Sequence, residues 1–403
     1  MEKIACLEVN ILSKNIALLH FSLNFLGGAE KLCLATISAL RKAGFSVTLV
    51  TVEKTDWKAI QKNFSTFTPP SNEIYFTTTK LSKKLSNPII ALTLFFGYLF
   101  EHIFLNLIGH YDLIISTFGD LIYSMSDIVY IHFPLIASEK YSQILPISNP
   151  AKWRFQSKLY SLSLFMLNKI KAKSILVNSH FIQKIVSNTL HLDSQIISPP
   201  VDTYYFLQEK KTTQRENKII TLSGYSPKRH LERIPKIANK SQFGEFLIIG
   251  KTDKYSSNTI NNLKNLILSL EVEKRVKLIS NVSRPKLKEL LSKAKIYLHP
   301  MPNEHFGTAI VEAMATGCIP IVDKSGGPWL DILDQKQGQY GYAYENIEEA
   351  SKYVDLLLNN ESLRQDISKR AINRSKDYDA LVFANKIVET VHYINNLKQK
   401  DKH

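Results

Sequence analysis

From residue 295 to Pro328 the chain reads in a fixed order: strand, acid, bend, helix, acid, glycine, strand, glycine-rich turn. Residues 295–299 form an apolar strand, and Glu304 follows in a loop. Phe306-Gly307 makes the bend, and Glu312 lies one or two turns into the next helix. Gly317 closes that helix. Residues 318–322 are the next strand, and Ser325-Gly326-Gly327-Pro328 turns the chain again. Two surface glutamates can match the spacing alone, but hardly the whole string. Strand, helix and strand in succession predict parallel α/β architecture.

The rest of the chain repeats this alternation. Strands are expected at residues 15–20, 47–52, 112–117, 128–132 and 174–178, with a helix over 29–42 between the Gly27-Gly28 break and Gly44. Ser198-Pro199-Pro200 and the polar residues 208–217 read as a linker. A second series has strands at 218–222, 245–250, 276–279, 295–299 and 318–322. Asn346 is placed to cap a helix running to about Leu358, and a last helix covers 380–398. The expected domains are residues 1–199 with a C-terminal helix, 378–403, crossing back to them, and residues 200–377. Two Rossmann-like domains facing each other leave a central cleft at the carboxyl ends of both sheets, where open α/β sheets bind ligands. Gly27-Gly28, His132, Glu304 and Ser325-Gly326-Gly327 each follow an expected strand and so fall on that rim.

Composition narrows the function classes. With 403 residues, 44% hydrophobic and 22% charged, the chain has the make-up of a folded two-domain protein. Cys6, Cys33 and Cys318 are too widely spaced for a disulfide framework or a zinc site, which fits a reducing compartment. No secretory signal is recognisable. The net charge is +15, and no Asp or Glu occurs between Tyr141 and Leu192. That window holds Lys152, Arg154, Lys158, Lys169, Lys171, Lys173 and Lys184 among Trp153, Phe155, Tyr160 and Phe165. No nucleic-acid motif accompanies the charge. A solvated helix face, or contact with anionic headgroups or a lipid-linked phosphate, remains. Residues 87–109 are apolar, but Glu101 and His102 interrupt them short of the roughly 20 residues a span needs. They are expected as a buried or interfacial helix, and the protein as cytoplasmic, peripheral on the inner face of a membrane.

Several motifs can handle an anion and a sugar. Glycines at Gly27-Gly28 let the backbone approach a phosphate closely, though an ordinary strand–helix turn looks the same. The pattern is not the GxGxxG dinucleotide fingerprint. His132, in Tyr130-Ile131-His132-Phe133-Pro134, ends a buried strand. It can be structural, bond a sugar hydroxyl or move a proton. Lys228 and Arg229, in Ser223-Gly224-Tyr225-Ser226-Pro227-Lys228-Arg229-His230, put cations at a strand–helix junction, where they can balance a leaving diphosphate. Ser325, Gly326 and Gly327 can form a nest of amides for an anion. Glu304 and Glu312 can grip hydroxyls. Anion and polyol together describe a nucleotide sugar.

The run NEHFGTAIVEAMATGCIPIVDKSGGPWLDI resembles the donor site of family 4 retaining glycosyltransferases, which have the GT-B fold. FSLNFLGGAEK, YIHFP, ILVNSHF and ISPPVD are similar, in the same order, to the α-1,2-mannosyltransferases of lipid-linked oligosaccharide assembly. The resemblance covers nearly the whole chain. It implies that Glu304 contacts the donor hexose and that Phe306, Gly307 and Thr308 cradle the sugar and diphosphate. It further implies that Glu312 binds the ribose, that Gly27-Gly28 approaches the phosphates, and that His132 sits near the reacting carbon. One departure stands out. Gly224 or Tyr225 occupies the place where the family has a diphosphate-binding arginine, and Arg229 or Lys228 fills the place of its lysine. A displaced cation or the Ser325–Gly327 amides are the compensations open to it. The amino terminus also lacks the membrane anchor of eukaryotic members, which suggests a prokaryotic relative.

The expected activity is therefore a metal-independent retaining hexosyl transfer with no cofactor. The donor is GDP-mannose or a UDP sugar, and the acceptor is a polyprenyl-phosphate-linked glycan presented at an anionic membrane surface. Two other readings stay open: a non-catalytic sugar-nucleotide-binding subunit, and a UDP-sugar-dependent transferase of exopolysaccharide or glycolipid synthesis. A nucleic-acid partner is not expected.

Overall fold

The computed structural model describes residues 14–64, 67–78, 111–118, 126–134, 172–207, 215–253 and 256–400. The expected interfacial helix at 87–109 and most of the basic window between Tyr141 and Leu192 lie outside them, as does most of the expected linker. Among the described residues, no helix is long and apolar enough to cross a membrane.

Two parallel sheets organise the chain. The first contains β1 (Asn15–Leu19), β2 (Ser46–Glu53), β3 (Asn72–Thr77), β4 (Leu113–Ser116), β5 (Ile128–Ile131), β6 (Ser174–Val177) and β7 (Gln195–Ile196), in the order β3-β2-β1-β4-β5-β6-β7. The second contains β8 (Glu216–Leu222), β9 (Glu245–Gly250), β10 (Val276–Ser280), β11 (Ala294–His299), β12 (Ile319–Asp323) and β13 (Tyr342–Tyr344), in the order β10-β9-β8-β11-β12-β13. The pairings β1–β2, β1–β4, β8–β9 and β11–β12 are all parallel. Near-continuous apolar runs explain this arrangement. Residues Ile16 to Leu19 are all fully buried, as a strand covered on both faces requires. In the second sheet, alternate residues feed two separate cores. Ile220, Leu247, Ile249 and Tyr297 face one, and Ile219, Phe246, Ile248 and Ile296 face the other.

The described residues divide into two compact units. The first holds β1 to β6 as far as Leu176, together with the last helix from Ala384 onward. The second runs from Val177 to Phe383. The last helix, Ala380–Lys400, buries Phe383, Ile387, Val391 and Ile394 at helical spacing. Within the first unit its Lys398 donates to the Asp112 carbonyl and pairs with Asp127 at 2.9 Å. The returning helix expected from the sequence is therefore present. Asn346 caps Ile347–Asn359 by accepting from the Glu349 amide, also as expected. Strands β3, β7 and β13 have no counterpart among the sequence expectations.

Candidate functional site

In the second sheet the strand order reverses at β8, which has β9 on one side and β11 on the other. Open parallel sheets bind ligands beyond the carboxyl ends of strands at such a point. Two loops reach it, 223–229 after β8 and 300–307 after β11. The first ends in a short turn, Pro227–Arg229. Nη1 of Arg229 lies 3.2 Å from Oε2 of Glu304 and 3.2 Å from Sδ of Met301. The other carboxylate oxygen of Glu304 accepts the His305 amide at 3.0 Å. Nε2 of His299, the last residue of β11, is 3.5 Å from Oε2. Burial by itself would raise the Glu304 pKa. His299 and then Arg229 overcome burial and hold the carboxyl at about 2, so it is a carboxylate at any physiological pH.

The backbone after Glu304 has little freedom. Gly307 has φ 96°, and a Cβ there would meet Ile310 at 2.6 Å. The buried Phe306 packs edge-on against Tyr378, with ring centroids 5.3 Å apart. Helix Thr308–Thr316 starts immediately afterwards. The Ile310 amide donates to the Gly307 carbonyl at 3.0 Å, and the amides of Thr308 and Ala309 at the helix start are the ones suited to an anion. Glu312 follows Thr308 by one helical turn and is half-buried. Burial pushes the Tyr297 phenol up, and the negative charges of Glu312 and Glu304 push it the same way, while Arg229 acts against them. The Tyr297 hydroxyl itself donates to the Leu222 carbonyl at 3.2 Å.

Ser325-Gly326-Gly327 supports this loop from beneath. The Gly327 amide donates to the Glu304 carbonyl at 2.8 Å, and the Ser325 amide donates to Asp323. The Ser325 hydroxyl accepts the Asn303 amide at 2.7 Å. A Cβ on Gly326 would lie 2.4 Å from the Glu304 carbonyl oxygen, and one on Gly327 would lie 2.3 Å from that of His305. Two of the three amides expected for an anion nest are thus engaged within the protein. Near β8, Lys228 and Gly224 are exposed, whereas Tyr225 is buried with its hydroxyl 2.9 Å from the Ile248 carbonyl. Tyr225 is therefore committed to the sheet. Arg229 is the cation that this junction directs at the acid.

The first sheet reverses its order at β1, between β2 and β4. Gly27 precedes helix Gly28–Lys42, and its amide donates to Oε2 of Glu30 at 2.6 Å. His132, one residue past β5, lies with Nε2 3.1 Å from the Thr117 carbonyl. A carbonyl only accepts, so Nε2 carries a proton. The structure thus brings Arg229, Glu304, Phe306, Gly307, Thr308, Glu312 and Ser325–Gly327 together in the second unit. Gly27, Gly28 and His132 lie in the first. Sequence reasoning missed His299 and Tyr297 as neighbours of Glu304. The available signal was a histidine closing an apolar strand directly ahead of the acid loop.

Residues 207–374 match the family described as glycosyl transferases group 1. The chain is 26% identical over 301 residues to a Dictyostelium discoideum protein named GDP-Man:Man(3)GlcNAc(2)-PP-Dol alpha-1,2-mannosyltransferase, over 66% of this chain and 59% of that one. A Caenorhabditis elegans protein of the same name is 26% identical over 399 residues, 86% of this chain and 83% of its own length. Other curated relatives are matched over about half their length. The crystal structure of Anabaena Alr3699/HepE in complex with UDP and glucose superimposes with a TM-score of 0.67 at 16% identity, over 94% of this chain and 100% of that one. At that identity the likeness shows the fold: two parallel-sheet Rossmann-like domains of the GT-B type.

Proposed function

We propose, from the premise that residues 207–374 are a glycosyl transferases group 1 domain, that the chain moves a mannosyl group from GDP-mannose to a lipid-linked oligosaccharide with retention of configuration. The observation that carries this reading is the Glu304 site. A half-buried carboxylate, held ionised and aimed by Arg229 and His299, stands at the entry of a helix whose fifth residue is a second acid, Glu312. The printed names of the curated relatives support the choice of mannose and acceptor.

In this reading Glu304 accepts hydrogen bonds from the hexose hydroxyls and Glu312 from those of the ribose. Arg229, with Lys228 beside it, faces the diphosphate together with the opening amides of helix Thr308–Thr316. As the sugar–phosphate bond lengthens, negative charge builds on the diphosphate and positive charge on the anomeric carbon. Fixed cations and dipoles stabilise the first without reorganising. The acceptor oxygen bonds to the anomeric carbon on the face that the diphosphate leaves, and its proton passes to a phosphate oxygen. No metal enters this scheme. Gly27-Gly28 and His132 keep in this reading the roles that the resemblance implies for them, at the donor phosphates and near the reacting carbon. The acceptor is lipid-linked, and the basic window between Tyr141 and Leu192 meets anionic headgroups.

The test is product analysis with a polyprenyl-diphosphate oligosaccharide as acceptor, in chelator. GDP-mannose is expected to add one hexose in α linkage, and UDP-glucose is expected to add none. A β-linked product, a strict metal requirement, or donor cleavage without transfer to the acceptor would contradict the proposal.

A further inference from the structure

We propose that His20 is a positioning residue, a buried imidazolium that ties the Gly27-Gly28 bend and the His132 ring into one assembly, through an ion pair to Glu30 and a hydrogen bond to Thr117; as a statement about transfer it rests on the reading given above. His20, Thr117 and His132 are each the first residue past the end of a strand, and those strands, β1, β4 and β5, are neighbours in the sheet. They line the carboxyl edge where the strand order reverses.

His20 is fully buried. Its Nδ1 is 3.0 Å from the Thr117 hydroxyl oxygen. That hydroxyl has its own acceptor, the Leu19 carbonyl at 3.2 Å, so it receives the Nδ1 proton. On the other side of the ring, Nε2 lies 3.5 Å from Oε1 of Glu30. A lone pair facing a carboxylate at that range is repelled, whereas an N–H is attracted. Both ring nitrogens are therefore protonated. Oε2 of Glu30 takes the Gly27 amide, so the charge pair reaches directly into the glycine bend. The Thr117 carbonyl takes Nε2–H of His132, so the same threonine orients the second histidine.

The groups facing His20 are Glu30 and Cys33 from helix Gly28–Lys42, Thr117 beyond β4, and the Phe118 ring, edge-on at 5.4 Å. Burial opposes the ring's charge. Cys33 and Glu30 more than offset it and push the pKa up to about 9. Burial likewise acts against an ionised Glu30, but His20 and the Gly27 amide hold its pKa below the usual range. The doubly protonated ring thus joins Glu30 and the Gly27 bend on one side to Thr117, 97 positions from His20, on the other.

Two measurements on the full chain test this. In the wild type, with no donor present, 15N-labelled imidazole resonances should show His20 doubly protonated at neutral pH and titrating near 9. In His20→Gln, the His132 resonances should shift, because Thr117 bonds both rings. A neutral His20 at pH 7, or an unmoved His132, overturns the proposal whatever the donor proves to be. Transfer assays then add the link to turnover. His20→Gln should lower kcat about tenfold or more with a much smaller change in donor KM, and should remove an alkaline limb near pH 9 from the wild-type profile. Thr117→Ser, which keeps the hydroxyl, should restore what Thr117→Val loses. If Glu304→Gln leaves transfer intact, the donor-site reading fails instead, while the His20 resonances still decide this proposal.

Discussion

At the scale of single residues, two strand-end histidines each face a glutamate at 3.5 Å, but the consequences for stability run in opposite directions along the pH axis. The His20 pKa, about 9 against an ordinary 6.5, means that the folded chain holds this proton more tightly than the unfolded chain does. Its contribution to stability is complete below about pH 6.5 and is lost as the pH rises through 9. Denaturant unfolding of the wild type and His20→Gln should therefore differ most at pH 6.5 and converge above pH 9. A constant difference across that range would contradict the charged pair. The Glu304 pKa is depressed to about 2 from 4.5, so its contribution is present above about pH 4.5 and is lost as the pH falls through 2. Neither histidine stands out by composition or spacing. Each reads as the last member of an apolar run, and its partner acid lies several residues further on in another element.

At the scale of elements, the site depends on two loops that touch through their backbones. Gly326 combines φ 67° with a carbonyl oxygen 2.4 Å from any added Cβ. Gly326→Ala should thus cost roughly 1–2 kcal/mol for the left-handed backbone and in addition push the Glu304 loop away. Asn346→Ala removes only a helix cap and should cost about 1 kcal/mol. The prediction is a contrast. Both variants lose thermal stability, but only Gly326→Ala loses donor affinity by titration, while Asn346→Ala turns over donor like the wild type. Equal donor binding by both would remove the supporting role given to the Ser-Gly-Gly turn. The sequence suggests an anion nest there because the residue types fit one. The Ser325 amide is engaged locally by Asp323, but the hydrogen bond from the Gly327 amide to Glu304 is set by the packing of β12 beside β11, which no local pattern records.

At the scale of the whole molecule, the alternation of apolar runs with helical spacing was enough to locate both parallel sheets and ten of their strands. Continuous burial on both faces leaves an unbroken apolar signature. The edge strand β3 was not legible because none of its residues is fully buried, and β13 because it has three residues between polar turns. The acid pair was legible because strand, bend and helix are consecutive. Its cation, Arg229, acts across 75 residues, and only the assembled sheet decides that it meets Glu304 rather than Asp323, which Arg233 takes instead. The central claim, that Glu304 grips the sugar of a sugar nucleotide, is tested most directly by calorimetric titration of the full chain and Glu304→Gln with GDP-mannose, UDP-glucose and the bare diphosphates. The account predicts that Glu304→Gln loses about tenfold or more, ~1.4 kcal/mol, in affinity for the preferred donor while its affinity for the matching bare diphosphate holds or changes far less. Equal binding of donor by wild type and variant, or a wild type that does not distinguish donor from diphosphate, would contradict it.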